Sequence, residues 1–239
     1  MRTEILQSPA FGMLRVTFEM RDDRIVAEAG AMVGHTAGVK MTTEMQGGFL
    51  AAAKRKLLGG ETIFKNTFTG TKPGQELLLA PGPQGDLQSI KLRAGESFTL
   101  LSGAYVAHTG DVKIDTKWQG ARSILSGTGF FMLQATGPGE LFFAAYGGIE
   151  KIDVSRGVLV DNGHIVGFTE GARYELKQFG GFRSFFLGGE GVVCRFIGTG
   201  HVYVQTRNVA NLVSFLTPFR PVKGSDSTKG KLFDAMKGD

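Results

Sequence analysis

Residues 30–36 read GAMVGHT, and similar stretches recur at 103–109 as GAYVAHT and at 163–169 as GHIVGFT. Each stretch continues into four residues that alternate apolar and polar side chains: VKMT after the first, VKID after the second and ARYE after the third. Alternation with a period of two is typical of a half-buried strand. A repeat of roughly 60 to 75 residues is longer than a solenoid repeat and predicts three small β-domains.

The second half of each repeat carries a glycine-rich corner, at 58–61, 125–129 and 187–191. Two apolar runs follow each corner and are separated by a short glycine turn, which is the pattern of a β-hairpin. The predicted hairpin arms are 63–68 with 76–80, 130–135 with 140–145, and 192–197 with 201–205.

The composition agrees with an all-β fold. The 239 residues are 42% hydrophobic and 21% charged, with 36 glycines and 19 phenylalanines. Many glycine turns between short Phe, Val, Leu and Ile runs indicate a sandwich or barrel. Because a unit of this size buries little surface by itself, we expect the three to pack together with pseudo-threefold symmetry.

The predicted domains are 1–90, with a helix inserted at about 48–58, then 91–152 and 153–219, followed by a flexible tail at 220–239. Residues 209–216 predict a brief helix that ends before Pro218, because proline disfavours helix in the residue that precedes it.

Cysteine content, charge and the N-terminus bound the class of protein. One cysteine, Cys194, excludes an internal disulfide and a cysteine-rich metal site. The first residues lack an apolar signal core or a transit segment, and the sequence has no apolar run long enough to span a membrane. We therefore expect a cytoplasmic location. The net charge of +5 permits contact with nucleic acid or anionic lipid without requiring it.

Several segments together resemble a known family. They are Pro9-Ala10-Phe11, residues 26–33 and the 47–60 segment that leads into 61–68. The resemblance is to the "altered inheritance of mitochondria" family of TRAP-like β-proteins, and it spans roughly residues 1–219. It implies TRAP-like β-sandwich units, often assembled into rings, with no assigned biochemical activity. No motif in this sequence matches the tryptophan- or RNA-binding residues of TRAP itself.

The sequence predicts no catalytic, metal or cofactor site, and no small-molecule ligand is identifiable. His35 and His108 occupy equivalent positions, but the third repeat has Phe168 there, which indicates a packing position. A zinc site needs three or four converging ligands. Cys194 lies in an apolar run that is typical of strand core. The usual nucleotide-binding, serine hydrolase and zinc protease motifs are missing from the sequence.

Positive charge recurs at one strand position of each repeat, at Lys40, Lys113 and Arg173. If the repeats surround an axis, this basic stripe would form a band that binds an anion or a nucleic-acid backbone. The alternative is an ordinary solvated strand face. Aromatic residues are not interleaved with the stripe, so base stacking has little support and nucleic-acid binding is not favoured.

The first repeat also contains an insertion at 49–58 between two glycine pairs. It combines helix-forming residues with a basic centre, which predicts a partner-docking element, a lid or a membrane-surface contact. The alternative is a plug over an open end of the sheet or an oligomer contact. Its candidate contact residues are Phe49, Leu50, Lys54, Arg55, Lys56, Leu57 and Leu58.

These features favour a non-enzymatic β-scaffold or binding module that forms a homo-oligomer, either a ring or a trimer-based assembly. An RNA or anion binder that uses the basic stripe is one alternative. An enzyme whose site combines residues of different repeats is another, since sequence alone does not reveal which side chains converge.

Overall fold

The computed structural model describes residues 1–45, 64–82, 84–116, 131–177 and 193–219. Over these ranges the chain is all-β apart from short helices, as predicted. After an extra first strand, the strands form three successive sets of six, which we call units 1, 2 and 3. The strands are β1 (Arg2–Leu6); in unit 1, β2 (Met13–Phe18), β3 (Arg24–Glu28), β4 (Met32–His35), β5 (Lys40–Met45), β6 (Phe64–Thr69) and β7 (Gln75–Leu79); in unit 2, β8 (Leu87–Leu92), β9 (Ser97–Leu101), β10 (Tyr105–His108), β11 (Lys113–Thr116), β12 (Met132–Thr136) and β13 (Gly139–Ala144); in unit 3, β14 (Ile149–Asp153), β15 (Val158–Asp161), β16 (Ile165–Thr169), β17 (Ala172–Lys177), β18 (Val193–Gly198) and β19 (His201–Gln205).

The strands form four antiparallel sheets, and two of these sheets join neighbouring units. The first sheet has the order β1-β2-β7-β4 and the fourth has β15-β18-β17. The second, β5-β6-β3-β10-β13-β8, takes three strands from unit 1 and three from unit 2. The third, β11-β12-β9-β16-β19-β14, joins units 2 and 3 in the same order. The pseudo-threefold packing of the three units stays a prediction.

The predicted hairpins are wrong, although strands occupy the predicted arms. β6 pairs with β3 and β5, whereas β7 pairs with β2 and β4. Units 2 and 3 repeat this separation, so the glycine turn carries the chain from one sheet to another instead of folding it back within one. Gly139 follows such a turn with φ of +150°, and a side chain there would overlap the Thr109 carbonyl oxygen.

The core continues across the units. Residues 141–144 of β13 are apolar without alternation, because Leu141 and Phe143 pack into one cluster while Phe142 and Ala144 pack into another. At the contact between units 2 and 3, the rings of Phe98, Phe143 and Tyr203 lie with centroids 5.2, 5.3 and 5.4 Å apart. Neighbouring units therefore share hydrophobic core.

Chain contacts divide the molecule into two bodies, Met1–Asn208 and Val209–Asp239. The predicted boundaries at 90 and 152 fall inside β8 and β14, and the connections between units lie slightly earlier. The division into three domains stays a prediction.

In the second body, the helix α1 (Val209–Leu216) confirms the brief helix predicted there. Directly after the helix, the Thr217 hydroxyl donates a hydrogen bond of 2.7 Å to the Val213 carbonyl oxygen. Within the described ranges, no helix has the length and apolar character needed to cross a membrane. The predicted helix at about 48–58 and the predicted tail at 220–239 lie outside the described residues.

Candidate functional site

The basic stripe occupies equivalent exposed positions on three different sheets. Lys40 begins β5, Lys113 begins β11 and Arg173 is the second residue of β17. Each of these strands lies at one edge of its sheet. No one sheet therefore carries more than one of the three charges, and anion binding by the stripe stays a prediction. The candidate contact residues of the insertion, Phe49 to Leu58, lie outside the described residues.

The junction of units 1 and 2 contains a polar cluster that we call the polar joint. Here β3 pairs with β10, with Val26 opposite His108. The buried Tyr105 hydroxyl lies 2.8 Å from Nδ1 of the buried His108 and 3.4 Å from the Val26 carbonyl oxygen. Glu28 ends β3 opposite Lys65 of β6. The polar joint thus consists of Glu28, Lys65, Tyr105 and His108.

Burial shifts the titration of three of these groups. It raises the pKa of the Glu28 carboxyl from 4.5 to about 7. It lowers the pKa of His108 from 6.5 to about 4, and the nearby positive charge of Lys65 adds to this effect. Burial, followed by the charge of Glu28, raises the pKa of the Tyr105 phenol. Near neutral pH the polar joint therefore contains a neutral His108 imidazole and a Glu28 carboxyl that is only partly ionised.

The equivalent junction between units 2 and 3 has no titratable side chain at the matching positions. There β16 pairs with β9 and places Phe168 opposite Thr99, which are the positions of His108 and Val26 in the first junction. Ile165 stands at the position of Tyr105, and Leu101 at that of Glu28. Since the second junction has Phe168, Ile165 and Leu101 at the positions of His108, Tyr105 and Glu28, the polar joint is specific to the contact between units 1 and 2.

The sequence pattern identified only part of the polar joint. His108 is buried, as expected for a packing position, but it also has the Tyr105 hydroxyl as a partner. Tyr105 and Glu28 were missed. The available signal was a polar residue at a repeat position that is apolar in another unit, Tyr105 against Ile165 and Glu28 against Leu101.

The structure also places the thiol of Cys194 and the metal-ligating types of side chain in the described ranges. Cys194 lies fully buried in β18, as predicted, and burial raises the pKa of its thiol to about 11. Such a thiol is a poor nucleophile at neutral pH. Among the described residues, no group of three or more His, Cys, Asp or Glu side chains is placed to hold a metal ion.

Two sheet edges, one in unit 1 and one in unit 3, form the second candidate site. β4 is an edge strand of the first sheet and β15 is an edge strand of the fourth. Within the described ranges, neither has a further strand on its outer side. We call these the β4 edge (Met32–His35) and the β15 edge (Val158–Asp161). In the other units, the equivalent strands β10, β16, β3 and β9 are paired across a junction.

The unpaired edges expose apolar side chains that are buried elsewhere. Val33 is 58% exposed, whereas Val106 and Val166 at the same position of units 2 and 3 are 1% exposed. Met32 is 42% exposed at the position of Tyr105 and Ile165, which are also 1% exposed. Leu159 on the β15 edge is 51% exposed. The β4 and β15 edges therefore expose apolar side chains of the kind that the paired strands bury at the junctions between units.

Comparisons with known proteins agree on one family. The family model described as mitochondrial biogenesis AIM24 matches residues 3–207. An uncharacterized protein of Streptococcus pyogenes serotype M6 is 27% identical over 234 residues, which cover 94% of this chain and 93% of that protein. The X-ray crystal structure of a Streptococcus pyogenes protein superposes with a TM-score of 0.75 at 26% identity, covering 92% of this chain and 99% of that one.

Proposed function

The chain belongs to the AIM24 family of mitochondrial biogenesis proteins, and we propose that it is a non-enzymatic β-scaffold that works as an assembly of several copies. The observation that carries this proposal is the exposure of apolar residues on the β4 and β15 edges. The family model and the uncharacterized relative point to no reaction. The scaffold function therefore rests on the geometry of the two edges.

Exposed edges of this kind favour association. An unpaired strand presents a row of backbone N–H and C=O groups to any chain that can pair with it. Soluble proteins usually protect such edges with lysine, proline or a covering element. The β4 edge instead has Met32, Val33, Gly34 and His35, and the β15 edge has Val158, Leu159, Val160 and Asp161. Neither edge contains lysine or proline, so both favour pairing with another copy.

Native mass spectrometry of the full chain tests the proposal. We expect masses at whole multiples of one copy, and fewer copies per particle for Val33→Lys. A lysine on a paired edge would raise the dissociation constant by about 10- to 100-fold, which corresponds to about 1.4 to 2.8 kcal/mol. Met20→Lys is the matched control, because Met20 is a comparably exposed apolar residue on a turn. A single copy at every protein concentration would refute the scaffold proposal.

Exposure of all three stripe residues supports a second candidate function, the binding of RNA or another polyanion. Binding of this kind weakens as salt is added, because bound counterions are released from the nucleic acid. Changing Lys40, Lys113 and Arg173 together to glutamine should then reduce both RNA retention and its salt dependence. Retention that is absent, or the same for this variant and the unmodified protein, would eliminate the candidate.

A further inference from the structure

We infer that the β15 edge of one copy pairs with the β4 edge of a second copy, antiparallel, with Gly34 opposite Val160 and His35 opposite Leu159. This inference rests on the proposed scaffold function and specifies its interface. Copies joined in this way associate head to tail. The junction between copies then repeats the two junctions that already exist inside the chain.

The two internal junctions establish the register. At the first, Ala107 lies opposite Ala27 and His108 opposite Val26. At the second, Gly167 lies opposite Leu100 and Phe168 opposite Thr99. Both pairs of strands are antiparallel. Both join the second strand of one unit, β3 or β9, to the third strand of the next unit, β10 or β16.

The β4 edge has the geometry of β10 and β16. All three strands have a register shift of one residue against their inner neighbour, between Met32 and Gly34 in β4, between Tyr105 and Ala107 in β10, and between Ile165 and Gly167 in β16. Because the bulge occurs at the same position in all three strands, the side chains that follow it have the same orientation relative to the sheet. Gly34 and His35 therefore correspond to Ala107 and His108.

The β15 edge has the register of β3 and β9. Val158 lies opposite Phe196 in β18, as Ile25 lies opposite Phe68 in β6. Phe98 lies opposite Ala135 in the same way in unit 2. Leu159 thus occupies the position of Val26 and Thr99, and Val160 occupies that of Ala27 and Leu100. Transfer of the two internal registers places Leu159 opposite His35.

A second copy is the occupant that fits these edges. Within one chain β4 and β15 are not paired with each other, and the exposure of Val33 and Leu159 shows that they do not cover each other. The edges are different strands, so the contact is heterologous and each copy has one of each kind. Such contacts generate a ring when the rotation closes, or a filament when it does not.

The register is tested by cysteine cross-linking in full-length protein. The single variants His35→Cys and Leu159→Cys are purified separately, mixed and oxidised. We expect a disulfide-linked dimer in the mixture and none from either variant alone. Gly34→Cys mixed with Leu159→Cys is the off-register control, and a side chain at Gly34 meets no atom within 4 Å. The yield should be at least ~10-fold lower there, because adjacent positions point to opposite faces.

Each other outcome overturns the inference in a recognisable way. A dimer from His35→Cys alone would mean that two β4 edges pair symmetrically. A chain that carries both His35→Cys and Leu159→Cys provides a further check. A disulfide within single copies of that double variant would mean that the chain closes on itself. If neither mixture cross-links while native masses still show several copies, the scaffold proposal stands and the assigned edges are wrong. A single copy throughout would refute both.

A second measurement does not depend on disulfide geometry. Val33→Lys blocks the β4 edge and Leu159→Lys blocks the β15 edge, so each variant alone should show a single copy. Their mixture retains one intact edge of each kind and should give the mass of two copies and no more. A mixture that stays at one copy, or that forms larger assemblies, would contradict head-to-tail pairing.

Discussion

Replacement of Glu28 by glutamine should stabilise the protein above neutral pH. Glu28 ends β3 within the polar joint, where burial raises the pKa of its carboxyl from 4.5 to about 7. A raised carboxyl pKa means that the folded state resists ionisation. Glutamine has nearly the same shape and no charge to lose, so it removes that penalty.

The size and pH range of the effect follow from the two pKa values. Below pH 4.5 the Glu28 carboxyl is protonated in both the folded and the unfolded state. In that range it adds no pH dependence to the free energy of unfolding. Between pH 4.5 and about 7 the unfolded state ionises first, and stability falls as pH rises. The full difference corresponds to about 3 kcal/mol. Because Glu28 keeps some contact with water, we expect about 2 kcal/mol.

Urea unfolding at pH 8 and pH 4 measures this effect. Glu28→Gln should raise the free energy of unfolding by about 2 kcal/mol at pH 8 and leave it nearly unchanged at pH 4. Glu150→Gln is the control, since Glu150 is exposed on β14. An equal effect of Glu28→Gln at both pH values would refute the reasoning, because the change would then come from packing and not from ionisation.

Three further predictions concern the buried residues. Because the pKa of His108 is lowered, the free energy of unfolding should fall as pH decreases from 6.5 to about 4. His108→Phe should reduce this fall, as measured by urea unfolding, by up to about 3 kcal/mol. An unchanged pH dependence would contradict the burial of a neutral His108. In urea unfolding, Phe98→Ala should lower the free energy of unfolding by about 3 to 5 kcal/mol. Phe11 is exposed, so Phe11→Ala should lower it by less than about 0.5 kcal/mol. Similar losses for the two variants would mean that the aromatic contact at Phe98 is not a core contact. Cys194 should resist a thiol reagent at pH 8 until urea unfolds the protein, and rapid labelling of native protein would show that β18 opens readily.

The sequence was sufficient to locate the strands but not to show which strands pair with each other. Period-two alternation located β5, β11 and β17, since one face of each strand is polar. It did not show that β6 and β7 enter different sheets, because a short glycine turn is compatible with a hairpin and with a crossing between sheets. The pairing of β3 with β10 joins residues about 80 positions apart, and local patterns do not encode contacts of that range.

The polar joint and the open edges were hidden for a related reason. Tyr105, His108 and Glu28 come from strands of two units, so their proximity depends on the junction between units. The exposure of Val33 depends on β4 being an edge strand, with no further strand paired on its outer side in the described part of the chain. In the sequence alone, Val33, Val106 and Val166 are indistinguishable members of one repeat.

The pairing of β3 with β10 also matters while the chain is being synthesised. β3 emerges from the ribosome about 80 residues before β10, which at ~5 to 20 residues per second leaves its edge without a partner for ~4 to 16 s. During that interval the apolar run Ile25-Val26-Ala27 is flanked by Arg24 and Glu28, and charges that flank an apolar strand oppose aggregation. The carboxylate that destabilises the finished protein above pH 7 therefore protects the nascent one, when Glu28 is still hydrated and fully ionised.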